Sequence, residues 1–392
     1  MKNQALTIGC LVLCAASARA ASAQQTVGDV LTFLMTNQSV ATGNPQVDRS
    51  AAQATSDTIS RALLANVATL PVTSSSAAFV YQLNPELGTV ERATQSFGPF
   101  FVERASTAGR GQASFALTFQ HLRFSSLDGH DLRDGTFVTT ANQFRDESAP
   151  YDENRLMLDI DASVATLSGN VGLTRRLEIG FAVPMVALRV NGSRVDTYRG
   201  RAFTQATASA TAVGLADIVL RTKYTAFADH GSGVAGAVDL RLPTGRQDNL
   251  LGAGTASLKF TGIASAELGR ATVHANGGYA VGGLARELSY GGAVAVAATD
   301  RFTVASELIG RVIDGIGRIV PLSAATPGLV GVQTIRLVPD ASSLHIVTAV
   351  PGVKWNLTDT WILVGNVSVP LTDAGLTTRF TPFVGIDYAF GR

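Results

Sequence analysis

Cysteine is almost absent: the 392 residues hold two, Cys10 and Cys14, both close to the N-terminus. An exported product cleaved beyond them has no disulfide framework and must be held together some other way. Charge is sparse and balanced, with 31 Lys and Arg against 30 Asp and Glu. No basic stripe marks a nucleic-acid surface, so nothing points to nucleic acid as a partner. Long apolar runs are also missing. After residue 23 none approaches the roughly 20 residues of a membrane helix, although 46% of residues are hydrophobic and mean hydropathy is +0.22. High hydropathy without a helix-length run predicts alternating strands. A large soluble all-β protein is the competing reading.

What is present begins with an export signal. Lys2 supplies a positive n-region, Leu6 to Ala16 an apolar h-region, and Ala21-Ser22-Ala23 a small-residue cleavage site before Gln24. Residues 1–23 thus read as a cleavable signal peptide whose h-region is too short to anchor a chain in a bilayer. Leu13 stands where a lipobox needs a small residue before Cys14, so lipidation is not expected. Cleavage leaves 29 basic and 30 acidic residues.

Residues 24–110 differ from the rest of the chain. Ala51, Ala54, Ile59, Leu63, Leu64 and Val67 recur close to helical spacing, which predicts a helix within Gln46 to Ala68. Thr69-Leu70-Pro71 ends it, and Ser74-Ser75-Ser76 reads as loop. Asn84 to Arg104 mixes charge with clustered Phe97, Phe100 and Phe101. The segment fits either a periplasmic extension or a plug inside a barrel. The three phenylalanines are then plug core or the wall of a hydrophobic ligand path.

Residues 111–392 predict a transmembrane antiparallel β-barrel of about twelve strands. The expected strands are 113–124, 155–168, 177–190, 214–227, 234–242, 256–268, 271–281, 288–298, 302–313, 342–357, 360–369 and 377–390. Connections after odd strands are long or Pro/Gly-rich (Ser125 to Asn154, Asn191 to Val213, Pro243 to Thr255, Asp314 to Ala341). Those after even strands are short (Gly169 to Arg176, Ala228 to Gly233, Gly269-Arg270, Thr299 to Arg301, Thr358-Asp359). Bacterial barrels have long outer loops and short periplasmic turns, and an even strand count leaves both ends in the periplasm. The links around 282–287 and 370–376 are short for outer loops.

Alternation assigns faces. Asp217, Arg221, Lys223 and Thr225 oppose Ile218, Leu220, Tyr224 and Ala226; Arg301, Thr303, Glu307 and Arg311 oppose Phe302, Val304 and Leu308. By the same rule Asp159, Asp161 and Ser163 oppose Leu158, Ile160 and Val164. A one-residue slip would drive such charges into lipid, at roughly 2–4 kcal/mol for a mid-bilayer Arg or Lys. The charges projected into the lumen are Asp159, Asp161, Glu178, Asp217, Arg221, Lys223, Asp239, Arg241, Lys259, Glu267, Glu307, Arg311, Arg379 and Asp387. They line a wet channel, or else form a static salt-bridge lattice that fills it. Trp355, Trp361 and Tyr388 fit the aromatic girdle at the periplasmic headgroup level. The last strand, with Tyr388 and with Phe390 two residues before the end, looks like the signal read by the outer-membrane barrel-assembly machinery.

Gly214-Leu-Ala-Asp217, Asp239-Leu-Arg-Leu-Pro-Thr-Gly245 and Asn249-Leu-Leu-Gly-Ala-Gly-Thr255 add a resemblance beyond pattern, as do His274-Ala-Asn-Gly-Gly-Tyr279 and Leu288-Ser-Tyr-Gly-Gly292. Together they resemble the outer-membrane barrel family of phenol meta-pathway (MetA-pathway of phenol degradation) transporters, over most of residues 95–392. The resemblance implies a barrel with no catalytic residues, and its name does not make phenol the ligand.

Remaining clusters carry little chemistry. Asp128-Gly-His130-Asp131 with Arg133-Asp134 gathers acids and a histidine in the first outer loop, but neither G-x-S-x-G nor H-E-x-x-H occurs. His121, His230, His274 and His345 lack ligand spacing. The Gly-rich 243–255 loop comes after a strand with no helix behind it, so it is a turn dipping inward or capping the mouth, not a phosphate cradle. The expectation is an outer-membrane channel for passive uptake of small organic solutes, aromatic or lipophilic ones included, with lipid as its surroundings and no metal or cofactor. The alternatives are a structural or surface-interaction barrel without transport and, behind it, a barrel hydrolase.

Overall fold

The computed structural model describes residues 25–36, 45–67, 74, 81–84, 89–92, 94–146, 150–229, 231–326, 329–358 and 360–390. The export signal and His230 lie outside these residues. Helix α1 spans Val27–Thr36 and α2 Pro45–Val67, with a hairpin of β1 (Tyr81–Asn84) and β2 (Thr89–Arg92) after them. The helix α1 was not expected. Its start is a reciprocal capping box, in which the Asp29 N–H donates to Thr26 Oγ1 and the Thr26 N–H to the Asp29 carboxylate.

The barrel strands begin with β3 (Ala113–Leu127), short β4 (His130–Asp131) and β5 (Val138–Phe144), β6 (Asp152–Gly172), β7 (Leu177–Tyr198), β8 (Arg201–Leu215) and β9 (Ile218–Asp229). Then come β10 (Ser232–Leu242), β11 (Ser257–Leu268), β12 (Ala271–Gly282), β13 (Glu287–Thr299) and β14 (Phe302–Ile313). The last group is β15 (Ile319–Ala325), β16 (Val332–Pro339), β17 (Leu344–Thr358), β18 (Trp361–Pro370), β19 (Leu376–Thr378) and β20 (Thr381–Phe390). Antiparallel ladders close the wall, with Phe390 of β20 opposite Ala113 of β3. Since β8 and β9 pair with the two halves of β7, they act as one strand, and the closed barrel has 12 strands. In lipid every backbone N–H and C=O needs a partner, and a closed barrel supplies them all.

The outer face carries Phe115, Leu117, Phe119, Leu220, Phe260, Val294, Leu308 and Val384, all exposed. Trp361 stacks on Tyr388 at 4.6 Å near the periplasmic turns, where amphipathic rings prefer the headgroups. With this apolar belt, the closed barrel resides in the outer membrane.

Strand length divides the wall. A bilayer needs about 9–11 residues per strand, which β10 to β14 match at 11–13 residues. The strands β6 and β7 run to 21 and 22 residues. Their upper parts continue the wall outside the bilayer, where the ladders run β15–β16–β5–β6–β7–β8. Residues 191–213, expected as a loop, are therefore mostly strand. Over β10 to β14 no such second storey rises among the described residues.

The upper storey has an apolar interior. Leu31, Leu34 and Met35 of α1 and Ile59 and Leu63 of α2 pack against Leu122, Phe124, Leu158, Ile160, Leu188 and Val190 of the wall. Arg194 on β7 donates to the Leu34 C=O at 2.9 Å and pairs with Asp196 at 3.0 Å. It thereby satisfies one of the last four carbonyls of α1 with a positive charge at the negative helix end. A Cβ at Gly192 would collide with the Leu34 side chain, so glycine there lets the helix approach.

Candidate lumen site

Below the helices, residues 94–111 thread the bilayer-level lumen, fastened to inward side chains of the wall. Glu307 on β14 accepts backbone N–H groups from Phe100, from Phe101 at 3.0 Å and from Val102 at 3.0 Å. Lys354 on β17 donates to the Pro99 carbonyl at 2.7 Å. Further down, Ser265 and Glu178 accept the N–H groups of Ala105 and Ala108 at 2.9 and 2.7 Å. Phe97 and Phe100 are buried with Ala295, Ala305, Val350, Ile362 and Phe383. Phe101 meets Phe383 edge-on at 5.5 Å.

On the other side of the lumen the cross-strand registers build a belt of charge. Asp239 lies opposite Arg221 on one side and Lys259 on the other. Lys259 lies opposite Ala280, Ala280 opposite Glu287, and Ser289 opposite Arg311. Arg221 grips Asp239 at 2.6 and 2.8 Å, and Arg311 grips Glu287 at 3.1 and 2.6 Å. Glu103 of the threaded segment bonds Arg221 and lies 3.4 Å from Lys223. Such pairs stay strong where protein replaces water around them.

The threaded segment leaves room. A cavity of about 160 Å³ lies between Phe101, Val102 and the belt. It shares Phe101, Ile309 and Arg311 with a second of about 120 Å³ beside Gln120, Thr348 and Leu376. A third, about 30 Å³, shares Val219 and Arg221 with the first and reaches Ser114, Asn170 and Asp387 near the periplasmic end.

The expected lumen charges fall in five different places. Arg221, Asp239, Arg241, Lys259 and Arg311 line the first cavity. Glu178, Lys223, Glu267, Glu307 and Asp387 also lie on inward faces, where Glu178 and Glu307 hold the threaded segment. Asp217 is buried and accepts the N–H groups of Gly245 and Ala253 at 3.0 and 2.8 Å, folding the 243–256 loop inward so that Leu250 and Leu251 join the helix core. Asp159 and Asp161 are corrections: they point outward and pair with Arg133 and Arg123, while Leu158 and Ile160 face in. The face is reversed because β6 here stands above the bilayer, wrapping helices instead of water. Arg379 is a further correction, lying exposed in the bend between β19 and β20.

Sequence reasoning missed Glu103, Glu287 and Lys354. Glu287 was assigned to a turn, yet it continues the alternation of Ser289 and Gly291; Lys354 is an isolated cation in an apolar strand. The Asp128 cluster serves the outer loops: its carboxylate accepts the N–H groups of Gly375 and Ile319 at 2.6 and 2.8 Å. His130 lies 5.7 Å from the Phe137 ring.

No protein-family model and no curated protein matches the chain. Among solved structures, an outer-membrane channel from Pseudomonas putida F1 aligns at 14% identity and TM-score 0.48, over 73% of this chain and 98% of that one. The toluene transporter TbuX from Ralstonia pickettii aligns at 10% identity and TM-score 0.26, over 72% and 90%. The outer-membrane protease OmpT from Escherichia coli aligns at 10% and 0.28, over 73% and 98%. A transporter and a protease standing side by side mark these as likenesses of barrel architecture.

Proposed function

We propose that the protein is an outer-membrane channel for passive movement of small organic solutes, with aromatic and lipophilic compounds among them. The observation that carries this reading is the set of three lumen cavities, neighbours through the side chains they share, Phe101 and Arg311 between two of them and Arg221 between another two. A wall built only to be stable would pack that space, because voids forfeit contacts. The threaded segment is not part of the strand ladders and is held by hydrogen bonds, by the Glu103 ion pairs and by its phenylalanines, so its displacement would widen the path without dismantling the wall. Selectivity then comes from constriction and lumen charge, with no catalytic step and no energy source. The C-terminal strand, closing on β3, is the natural handle for the barrel-assembly machinery.

Single-channel conductance of the refolded mature chain in a planar bilayer tests this, beside a chain lacking residues 24–95. Conductance in both makes an open pore, and conductance only after truncation makes the N-terminal segment a plug. Silence in both, from a barrel with heat-dependent gel mobility, overturns the channel reading in favour of a structural barrel.

A further inference from the structure

We propose that the lumen cavity between Phe101 and the charged belt is a binding site for an organic anion of single-ring size, with its carboxylate on Lys259 and its ring against Phe101; this rests on the channel reading above and names its solute class.

Size sets the first limit. The cavity measures about 160 Å³, and a dry cavity of about 150 Å³ accepts benzene. Small inward residues make the space, since Ala280 and Ser289 stand on the same rungs as Lys259 and Arg311. A bulkier side chain at either place would fill it.

The lining is two-sided. Phe101, Ile309, Ile313 and Ile316 supply apolar surface, and the belt supplies charge. Four cations, Arg221, Arg241, Lys259 and Arg311, face three carboxylates, Glu103, Asp239 and Glu287. The carboxylates are committed. Both oxygens of Asp239 take Arg221, and Glu287 takes two nitrogens of Arg311. Lys259 differs: its ammonium stands 3.8 Å from Glu287, beyond hydrogen-bond distance, and is about one-third exposed. Its three N–H donors are thus available to an acceptor in the cavity. An incoming cation would find Asp239 and Glu103 held by Arg221 and Glu287 held through one oxygen by Arg311 with Lys259 facing the other, whereas an incoming carboxylate finds a cation and a net positive lining. Pockets that orient ligands combine apolar walls with a few such polar groups.

Equilibrium dialysis of radiolabelled benzoate against the detergent-refolded mature protein tests the site, with benzyl alcohol as the uncharged counterpart of the same size. Benzoate is expected to bind at one per barrel and about tenfold or more tighter than benzyl alcohol, as a charge-assisted hydrogen bond implies. Lys259→Gln should erase that difference, and Ala280→Leu should abolish binding of both. Each variant is first checked for native heat-dependent mobility. If Lys259→Gln does not fold, Ala280→Leu and the contrast between the two probes decide. Benzoate binding no tighter than benzyl alcohol, or unchanged binding in folded Ala280→Leu, overturns the proposal. Arabinose flux in liposomes separates the two readings. Flux without benzoate binding removes the site and leaves the channel; benzoate binding without flux, both in the full mature chain and in the chain lacking residues 24–95, keeps the site and removes the channel.

Discussion

The N–H of Val102 donates to the Glu307 carboxylate across 3.0 Å of the barrel interior. Phe101 and Phe100 direct their N–H groups to the same carboxylate. Three successive backbone donors on one buried anion fix the path of the segment whatever side chains it bears.

Glu307→Gln keeps one acceptor oxygen and loses the charge. Hydrogen bonds to charged groups contribute about 1.5–3 kcal/mol each, so anchorage of the segment should weaken by about 2–3 kcal/mol. More frequent or larger openings are expected in bilayer recordings. An unchanged conductance trace would mean that other contacts hold the segment.

The reversed face of β6 gives a paired prediction. Asp161→Ala removes only long, partly exposed ion pairs to Arg123 and Arg133, and such pairs are worth about 0–1 kcal/mol. Ile160→Asp puts a charge among the helices and should prevent their packing. Urea unfolding of the two variants reads the contrast. Equal damage would place Asp161 on the inside after all.

Leu31 is fully buried in α1, and a buried Leu→Ala change costs about 2–5 kcal/mol. Leu31→Ala and Gly192→Val should both free α1 from the upper wall. Both cysteines lie within residues 1–23, so in a chain produced without that segment a single cysteine placed at Val30 reports this without background. Its labelling rate should rise in both variants, and an unaltered rate would contradict the packing described.

Asp340 sits at the base of the β15–β16 hairpin. Its carboxylate accepts the Ser342 hydroxyl and the N–H groups of Arg318 and Ser342, which hold its pKa below the usual carboxylate value. A lowered folded-state pKa stabilises above the unfolded value of about 4 and is lost as pH falls through the folded one. Hydrogen exchange at the Arg318 and Ser342 amides, corrected for intrinsic rates, should therefore accelerate below about pH 4 in the wild type. Asp340→Asn keeps an acceptor oxygen but has no proton to gain, so there the inflection should vanish. A wild-type profile without that inflection would discount the carboxylate.

Much of the wall was legible because lipid imposes a strict code. Each span needs alternation, and a charge facing outward at mid-bilayer is penalised, so the faces of β9, β14 and β20 could be read from Arg221, Glu307 and Asp387. Above the bilayer the code lapses. Alternation in β6 still marks two faces, but water on one side and helices on the other invert their meaning, which is why Asp159 and Asp161 were misplaced. The threaded segment was illegible for another reason. Many of its anchors are backbone N–H groups, which every residue but proline carries, and no pattern of side chains announces where those will be spent.

The pairing of β3 with β20 also sets an order of assembly. Ala113 and Phe390, neighbours across the seam, stand at opposite ends of the wall's sequence, and contacts so distant along the chain form slowly. Once they meet, the wall is closed around α1, α2 and residues 94–111. These parts of the chain are the contents of a cylinder whose last strand is also its lid seam.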